Sequence, residues 1–242
     1  VSGCGNKKEI SYAVKKNQEN SKVLKVNFHD NIGPVAIIGS GISGASLAYA
    51  LRKRNIECFI IDKSHKLGSG ASGNKLAIQM PKLTTDNSPY GLLSLEAFLF
   101  SRKLAQDLNA IPRSDGLVLI PNRDRDIIKY KKLLENNWPL ELMNNNYEKL
   151  NVLKNVNYIY MKSSGIVDNK KFIKNLIKNV KFISKYNVKN IIAAKEGLQT
   201  IIDEYGNKLK AKTVIWANGF EMINLSQKVP INPISGQVTY LK

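Results

Sequence analysis

The 242-residue sequence predicts an α/β fold built around a parallel sheet. Val35 to Ile38 and Cys58 to Ile61 are short apolar runs typical of buried strands, and Ile42 to Arg54 between them has helical spacing. Near the other end of the chain, Val214 to Trp216 is a further apolar run that returns to the same sheet. A strand, helix and strand in this order indicate parallel strands covered on both faces.

The elements between these runs predict a second layer and a meander. Their helices are Glu96 to Leu108, Asp126 to Glu135 and Lys171 to Asn179, the last with Asp168 as a possible N-cap. Their strands are Leu117 to Ile120, Tyr158 to Met161, Lys181 to Tyr186, Lys189 to Ala194 and Gln199 to Glu204. Gly206 and Asn207 turn the chain after the last strand. We expect the region from about Pro112 to Gly165 to form a separate substrate-facing layer.

Composition excludes several classes of protein. Apolar residues make up 43% and charged residues 23% of the chain, which are ordinary values for a globular protein. No apolar run approaches the roughly 18 residues of a membrane helix. Cys4 and Cys58 cannot supply a disulfide framework, so we expect a cytoplasmic protein. With His29 and His65 as the only histidines, no metal site is expected.

The net charge of +18 leaves two interpretations open. Clustered basic residues bind nucleic-acid phosphates by releasing counterions. Lysine supplies nearly all of this charge, however, beside abundant Asn and Ile, a mixture that an AT-rich genome produces at any solvated position. The charge alone therefore does not decide between RNA binding and a merely solvated surface.

A glycine motif after the first strand predicts nucleotide binding. Gly39, Gly41 and Gly44 form GxGxxG. The first glycine permits a tight turn, the second a close approach to a pyrophosphate, and the third helix packing on the strand. The helix start then offers free N–H groups to phosphates. Asp62 ends the next strand and is placed to accept a ribose hydroxyl, which favours a nucleotide site over a structural turn.

A second loop of small residues, Gly70 to Asn74, follows Asp62 closely. Such a loop can bring further backbone N–H groups to a phosphate, and it can equally be a surface turn. FAD and NAD both contain ADP-ribose, so these motifs do not separate the two cofactors.

Several longer stretches point to one family. They are IIGSGISGASLAYAL at Ile37 to Leu51, GSGASGNK at Gly68 to Lys75, LEAFLFSRKL at Leu95 to Leu104, WANGF at Trp216 to Phe220 and PINPISGQV at Pro230 to Val238. With these stretches the chain resembles FAD-dependent oxidoreductases of the D-amino-acid oxidase and glycine oxidase type. Among them it is most similar to the oxidase half of the bifunctional bacterial enzyme that makes 5-methylaminomethyl-2-thiouridine in tRNA.

The N-terminal residues extend this resemblance. GCGNKKE at Gly3 to Glu9 is similar to the closing strand of the methyltransferase domain that precedes that oxidase half. The rival interpretation of Val1 to Cys4 as a lipoprotein cleavage box needs an upstream apolar segment. The resemblance implies a D-amino-acid oxidase type of fold, C-terminally incomplete. Its parts are a methyltransferase tail (1–14), a linker (15–33), a Rossmann-like FAD-binding domain (34–111 and 166–229) and an interleaved substrate-facing domain of mixed sheet (112–165 and 230–242).

The resemblance also implies site residues. The FAD pyrophosphate would be held by Gly39, Ser40, Gly41, Ile42, Ser43 and Gly44. The ribose would lie at Asp62 and Lys63, and the flavin-side phosphate region at Gly70, Ala71, Ser72 and Gly73. The adenine would meet the Val188 backbone, with Ala217, Asn218 and Gly219 closing over the cofactor. Gly236 and Gln237 would border the substrate. No catalytic side chain is assigned. Ser235, Ala77 and Ile166 depart from the family's usual arginine, glycine and tryptophan, which bears more on substrate affinity than on cofactor binding.

The implied reaction is oxidation of carboxymethylaminomethyl-uridine at the tRNA wobble position to aminomethyl-uridine, with release of glyoxylate. S-adenosylmethionine would bind only an adjacent methyltransferase domain, and no membrane or metal is expected. Two alternatives stay open. One is an FAD-dependent oxidase of glycine, sarcosine or D-amino acids, and the other is a non-catalytic tRNA-binding remnant.

Overall fold

The structure, a computed structural model, describes residues 32–86, 88–111, 116–136, 138–145, 158–194, 197–224, 231–233 and 236. Contacts between Cα atoms divide the chain into two compact units. The first comprises Val1–Val26 and Leu76–Asp168, and we call its segment Leu76–Asp168 the insert unit; the second, Asn27–Lys75 with Asn169–Lys242, is the sheet unit. These divisions fall at other positions than the domain boundaries predicted from the sequence, which stay a prediction.

Four α-helices and eleven strands lie in the described ranges. The helices are α1 (Ile42–Arg52), α2 (Pro89–Asp107), α3 (Asp124–Leu134) and α4 (Asn169–Leu176). The strands are β1 (Val35–Ile38), β2 (Cys58–Ile61), β3 (Leu76–Gln79), β4 (Leu117–Leu119), β5 (Ile159–Met161), β6 (Gly165–Asp168), β7 (Lys181–Ile183), β8 (Val188–Ile192), β9 (Gln199–Asp203), β10 (Lys208–Ala211) and β11 (Thr213–Trp216). Short 3-10 helices cover Ala71–Gly73 and Gly219–Asn224.

The sheet unit contains the predicted parallel sheet, with strand order β11-β1-β2-β7. β1 is central and pairs in parallel with β2 on one side and β11 on the other. All four of its residues are buried, because neighbouring strands and helices cover an apolar VAII run. α1 packs against α4. The early β1-α1-β2 prediction is therefore confirmed.

The meander predicted after the fourth helix is also present. β8, β9 and β10 form an antiparallel sheet with β9 in the middle. An apolar cluster joins this meander to the parallel sheet, and its buried members are Ala36, Ile61, Tyr186, Ile201 and Ala211. The meander is thus held beside the carboxyl end of β2, where the sequence placed the nucleotide site.

The insert unit has two small antiparallel sheets, β3 with β6 and β4 with β5. Its core is an apolar cluster of Leu83, Leu95, Phe98, Leu99, Leu133, Leu142, Met143, Ile159 and Met161. In the β3–β6 pair, Leu76 stands opposite Asp168. The first and last residues of this unit therefore lie side by side on two paired strands.

Sequence patterns missed or misplaced some elements. β3, β6 and β10 were not predicted, because strands of only four residues carry little signal of their own. α2 begins at Pro89 instead of Glu96, with Ser88 as its N-cap and proline at its first position. α4 begins directly after Asp168, which ends β6, and stops three residues before the predicted Asn179.

Among the helices that the structure describes, none is long and apolar enough to cross a membrane. In the same part of the chain, no group of three or more His, Cys, Asp or Glu side chains is arranged to hold a metal ion. The methyltransferase-like stretch Gly3 to Glu9 lies outside the described residues, as do Ser235 and Gln237.

Candidate cofactor site

A cavity of about 240 Å³ opens in the sheet unit, at the carboxyl ends of the parallel strands. It is lined by five of the residues predicted to bind a cofactor: Gly39, Asp62, Lys63, Val188 and Asn218. In open α/β sheets, ligands bind at this edge, in the crevice at the topological switch point, where the connections from neighbouring strands run to opposite sides of the sheet. The predicted motifs, which are far apart in sequence, therefore meet at one place.

Gly39 and Gly44 are required by close backbone approaches. Gly39 has a φ of 111°, and a Cβ there would overlap the backbone of Ala217. A Cβ on Gly44 would overlap the carbonyl oxygen of Gly39, because α1 packs directly on the turn that leads into it. This geometry agrees with the tight turn and the helix packing expected of the first and third glycines, and their assignment to the FAD pyrophosphate stays a prediction.

Gly41 differs from the other two glycines. It is the N-cap residue of α1, and it has no side chain to cap the helix. The hydroxyl of Ser72, in the second loop, instead accepts a hydrogen bond from the Ile42 N–H at 3.0 Å. A Cβ on Gly41 would meet only this hydroxyl, at 3.2 Å. The two glycine-containing loops therefore converge on one helix N-terminus, and the first turn of α1 carries no acidic residue.

Asp62 is oriented by hydrogen bonds from within the chain. Its Oδ2 accepts from the N–H of Ser40 at 2.8 Å and from the Ser40 hydroxyl at 2.6 Å. Its Oδ1 accepts from the N–H of Ser64 at 2.8 Å. Ser40 is 1% exposed, and its Oγ also accepts from the Gly68 N–H. A carboxylate has about four acceptor positions, so Oδ1 keeps one that can receive a ribose hydroxyl.

Two further polar side chains line the cavity, those of Asn218 and Lys63. The Oδ1 of Asn218 is buried and has no hydrogen-bond partner among the described residues. A buried acceptor without a donor costs about 1–3 kcal/mol, which a hydroxyl or amino group of a ligand would recover. The Nζ of Lys63 binds the carboxylate of Glu221 at 2.5 Å. The open acceptors and the start of α1, which has no acidic residue in its first turn, fit the adenosine and phosphate parts of a dinucleotide.

Sequence analysis missed several lining residues. They are Ile38, Ile61, Tyr186, Asn187, Lys189, Trp216 and Glu221. Glu221 lies 158 residues after Lys63 in the chain, so no local pattern could have paired them. Trp216 could have been predicted, because it directly precedes Ala217 to Gly219, the stretch expected to close over the cofactor.

Other predicted residues lie outside the cavity lining. Ser43, Gly70, Ala71 and Gly219 are exposed. Gly236 is exposed too, with open space where a Cβ would stand. Their assignment to a cofactor or substrate stays a prediction.

Tyr186 ties the meander to Asp62. Its hydroxyl lies 2.9 Å from the carbonyl oxygen of Ile201 and 2.6 Å from that of Asn207, and its single O–H is shared between these two acceptors. Its N–H donates to the carbonyl oxygen of Asp62 at 3.0 Å. Burial raises the pKa of Tyr186, and the negative charge of Asp203 raises it further. Tyr186 is thus a positioning residue for the cavity wall that includes Val188.

Replacing Tyr186 with phenylalanine is expected to lower the free energy of unfolding by about 1 kcal/mol at neutral pH, because the buried carbonyl of Ile201 and the partly buried carbonyl of Asn207 lose the O–H that they share. Since folding raises the pKa of Tyr186 above its unfolded value of about 10, the unfolded chain releases this proton first. The stability that Tyr186 contributes is complete below about pH 10 and is lost as pH rises through the folded pKa. Urea unfolding should therefore show the difference from wild type shrinking above about pH 10. Tyr205→Phe, at a side chain that is 77% exposed, is the control and should leave both measurements unchanged.

Comparison with known proteins places this geometry in a family. The family described as FAD dependent oxidoreductase (DAO) matches residues 34–242. Three related proteins carry the name tRNA 5-methylaminomethyl-2-thiouridine biosynthesis bifunctional protein MnmC. The one from Shewanella sp. (strain W3-18-1) is 28% identical over 86% of this chain and 34% of its own length. The one from Aliivibrio fischeri is 25% identical over 100% of this chain and 38% of its own length. A third, from Legionella pneumophila (strain Corby), is 26% identical over 85% of this chain and 32% of its own length.

Solved structures share the fold. Glycine oxidase from Geobacillus kaustophilus has a TM-score of 0.60 at 21% identity, covering 79% of this chain and 56% of that one. L-proline dehydrogenase from P. horikoshii has a TM-score of 0.60 at 18% identity, covering 79% and 54%. The chain spans about a third of the length of these MnmC proteins and about half of these solved enzymes.

Proposed function

Because this chain belongs to the family of FAD-dependent oxidoreductases, we propose that it forms the cofactor-binding part of an enzyme that oxidises carboxymethylaminomethyl-uridine at the wobble position of tRNA. The products are aminomethyl-uridine and glyoxylate. The observation that carries the proposal is the cavity at the carboxyl end of the parallel sheet, where Asp62 and the start of α1 converge. When bound, FAD supplies the hydride acceptor for oxidation of a CH–NH group.

The chain's own residues bind and orient the nucleotide in this proposal. The remaining acceptor position of Asp62 receives a ribose hydroxyl, and the N-terminus of α1 attracts the pyrophosphate. The Val188 end of the meander, fixed by Tyr186, forms the adenine wall. Ser72 holds the second loop at the same helix end. We assign no catalytic side chain, and Gly236 with Gln237 are proposed to border the substrate.

Two observations support tRNA as the substrate. The related proteins that align with 85–100% of this chain are named for tRNA 5-methylaminomethyl-2-thiouridine biosynthesis. Gly3 to Glu9 resembles the end of a methyltransferase domain, which alone would use S-adenosylmethionine. A tRNA-modifying role places the protein in the cytoplasm. The similarity in fold to glycine oxidase favours a second candidate, a flavin enzyme that oxidises free glycine or sarcosine.

An absorbance spectrum followed by anaerobic reduction tests both candidates. We expect the purified protein to show flavin bands after incubation with FAD, and to lose them on addition of tRNA that carries carboxymethylaminomethyl-uridine. The same tRNA without the modification is the matched control and should leave the bands unchanged. Rapid bleaching by free glycine or sarcosine would overturn the tRNA proposal in favour of the second candidate. Binding of tRNA without any retained flavin would indicate the non-catalytic alternative.

A further inference from the structure

The positive charge is concentrated in one unit of the molecule. The unit that contains the insert, Val1–Val26 with Leu76–Asp168, holds 18 basic and 12 acidic residues, for a net charge of +6, and Leu76–Asp168 alone holds 12 and 10, for +2. The ranges of the sheet unit, Asn27–Lys75 and Asn169–Lys242, hold 19 basic and 7 acidic residues, for a net charge of +12. A genome-wide preference for lysine would affect both units alike. The difference therefore calls for a cause that is specific to the sheet unit.

Within the sheet unit, one continuous stretch carries much of this charge. Residues 169–189 contain seven lysines and neither Asp nor Glu. We call its first six lysines the basic edge, and all of them are exposed: Lys170, Lys171, Lys174, Lys178, Lys181 and Lys185. The seventh, Lys189, lines the cofactor cavity together with Lys63.

The fold turns all these lysines toward solvent. α4 buries Phe172, Ile173 and Leu176 against the sheet unit, which leaves its lysines on the outer face. Lys170 and Lys174 are one helical turn apart and share that face. β7, which carries Lys181, is the edge strand of the parallel sheet. β7 is parallel to β2 and so runs toward the cavity, and beyond its end the N–H of Lys185 donates to the carbonyl oxygen of Ser64, two residues after the cavity-lining Asp62.

We propose that the basic edge docks the sugar–phosphate backbone of RNA beside the cofactor cavity. The proposal rests on the proposed function only for the choice of tRNA as the partner. A row of lysines without acids neutralises phosphates and releases their counterions, whatever the base sequence. An alternative explanation is that a lysine on an edge strand prevents this strand from pairing with another sheet. That explanation applies to Lys181 alone among the lysines of the basic edge.

RNA fits these residues better than a membrane does. A helix that lies on a lipid surface exposes an apolar face for insertion between the headgroups. In α4 the large apolar side chains are buried, and its outer face carries lysines. The basic edge therefore offers positive charge and no apolar side chain that could insert into lipid. A surface of this kind suits a partner with an exposed phosphate backbone.

A pair of charge-matched variants tests the proposal in the full chain. K170Q/K174Q/K178Q removes three lysines from the basic edge. K129Q/K131Q/K132Q removes three exposed lysines from α3, in the insert unit. Binding of unfractionated tRNA is measured by fluorescence anisotropy at several salt concentrations. We expect the first variant to bind about tenfold more weakly, with the slope of log K against log salt reduced by about 2. The second should stay within about twofold of wild type.

Equal losses in the two variants, or no loss in the first, would overturn the proposal. Circular dichroism and thermal unfolding of both variants show whether each is folded. Vesicles containing phosphatidylserine are the second probe, and binding to them that exceeds binding to tRNA and depends on the same lysines would assign the basic edge to a membrane instead. These experiments measure binding and not turnover, so the two proposals can fail separately. If the protein oxidises free glycine and still binds tRNA through the basic edge, the proposed function is refuted and the docking proposal stands.

Discussion

Replacing Gly44 with alanine is expected to abolish FAD binding and to lower the free energy of unfolding by about 3 kcal/mol. The added Cβ would overlap the carbonyl oxygen of Gly39, which is backbone and cannot rotate away. α1 would have to move off β1, and its N-terminus would leave the place where the pyrophosphate is proposed to bind. Urea unfolding and titration with FAD, followed by quenching of flavin fluorescence, measure the two effects.

Gly41→Ala is the matched control for this prediction. Its Cβ would meet only the Ser72 hydroxyl, at 3.2 Å, and a side chain can adjust. We expect this variant to keep nearly wild-type stability and yet to bind FAD at least tenfold more weakly, because a methyl group would stand where the phosphates approach. Equal stability losses in the two variants would show that Gly44 is not specifically required for packing of α1 on the turn.

The second large effect is expected for Asp62→Ala, which should weaken FAD binding by about 10- to 100-fold. The variant removes the acceptor proposed for the ribose, and hydrogen bonds to a charged partner contribute about 1.5–3 kcal/mol each. It also leaves the buried N–H and hydroxyl of Ser40 without their acceptor. We therefore expect a loss of stability of about 1–3 kcal/mol besides the loss of affinity.

Asp107→Ala serves as the control for Asp62. Asp107 is a carboxylate on the exposed side of α2, paired with Lys103 at 2.7 Å, and surface pairs of this kind contribute little to stability. Affinity for FAD and stability should stay at wild-type values in this variant. Unchanged FAD affinity in Asp62→Ala would contradict the assignment of Asp62 to the ribose.

The start of the sheet unit was predictable from the sequence because its signals are local. The apolar runs of β1 and β2, the glycines of the turn and the carboxylate after β2 all lie within thirty residues. The return of β11 to this sheet was predicted as well, from the apolar run Val214 to Trp216, whereas its pairing with β1 and their register come from the structure. In each case the period of the apolar residues decides the element, without help from distant parts of the chain.

Contacts between distant segments were beyond prediction. The pairing of Lys63 with Glu221 joins charged residues that occur at many surface positions, and nothing in either local sequence selects the other. Likewise, Ser72 was assigned to phosphate binding, while its hydroxyl accepts from the Ile42 N–H, thirty residues earlier. β3 and β6 are each too short to be recognised, and they exist because they pair with one another.

That pairing has a consequence for how such proteins diversify. Leu76 pairs with Asp168, and the Cα atoms of paired residues are about 5 Å apart. The insert unit therefore begins and ends at adjacent points. A segment anchored in this way can lengthen, shorten or be exchanged without changing the span that its ends must bridge, and longer loops add closure entropy only slowly. Evolution can therefore replace the region between β3 and β6 while the strands on either side keep their register.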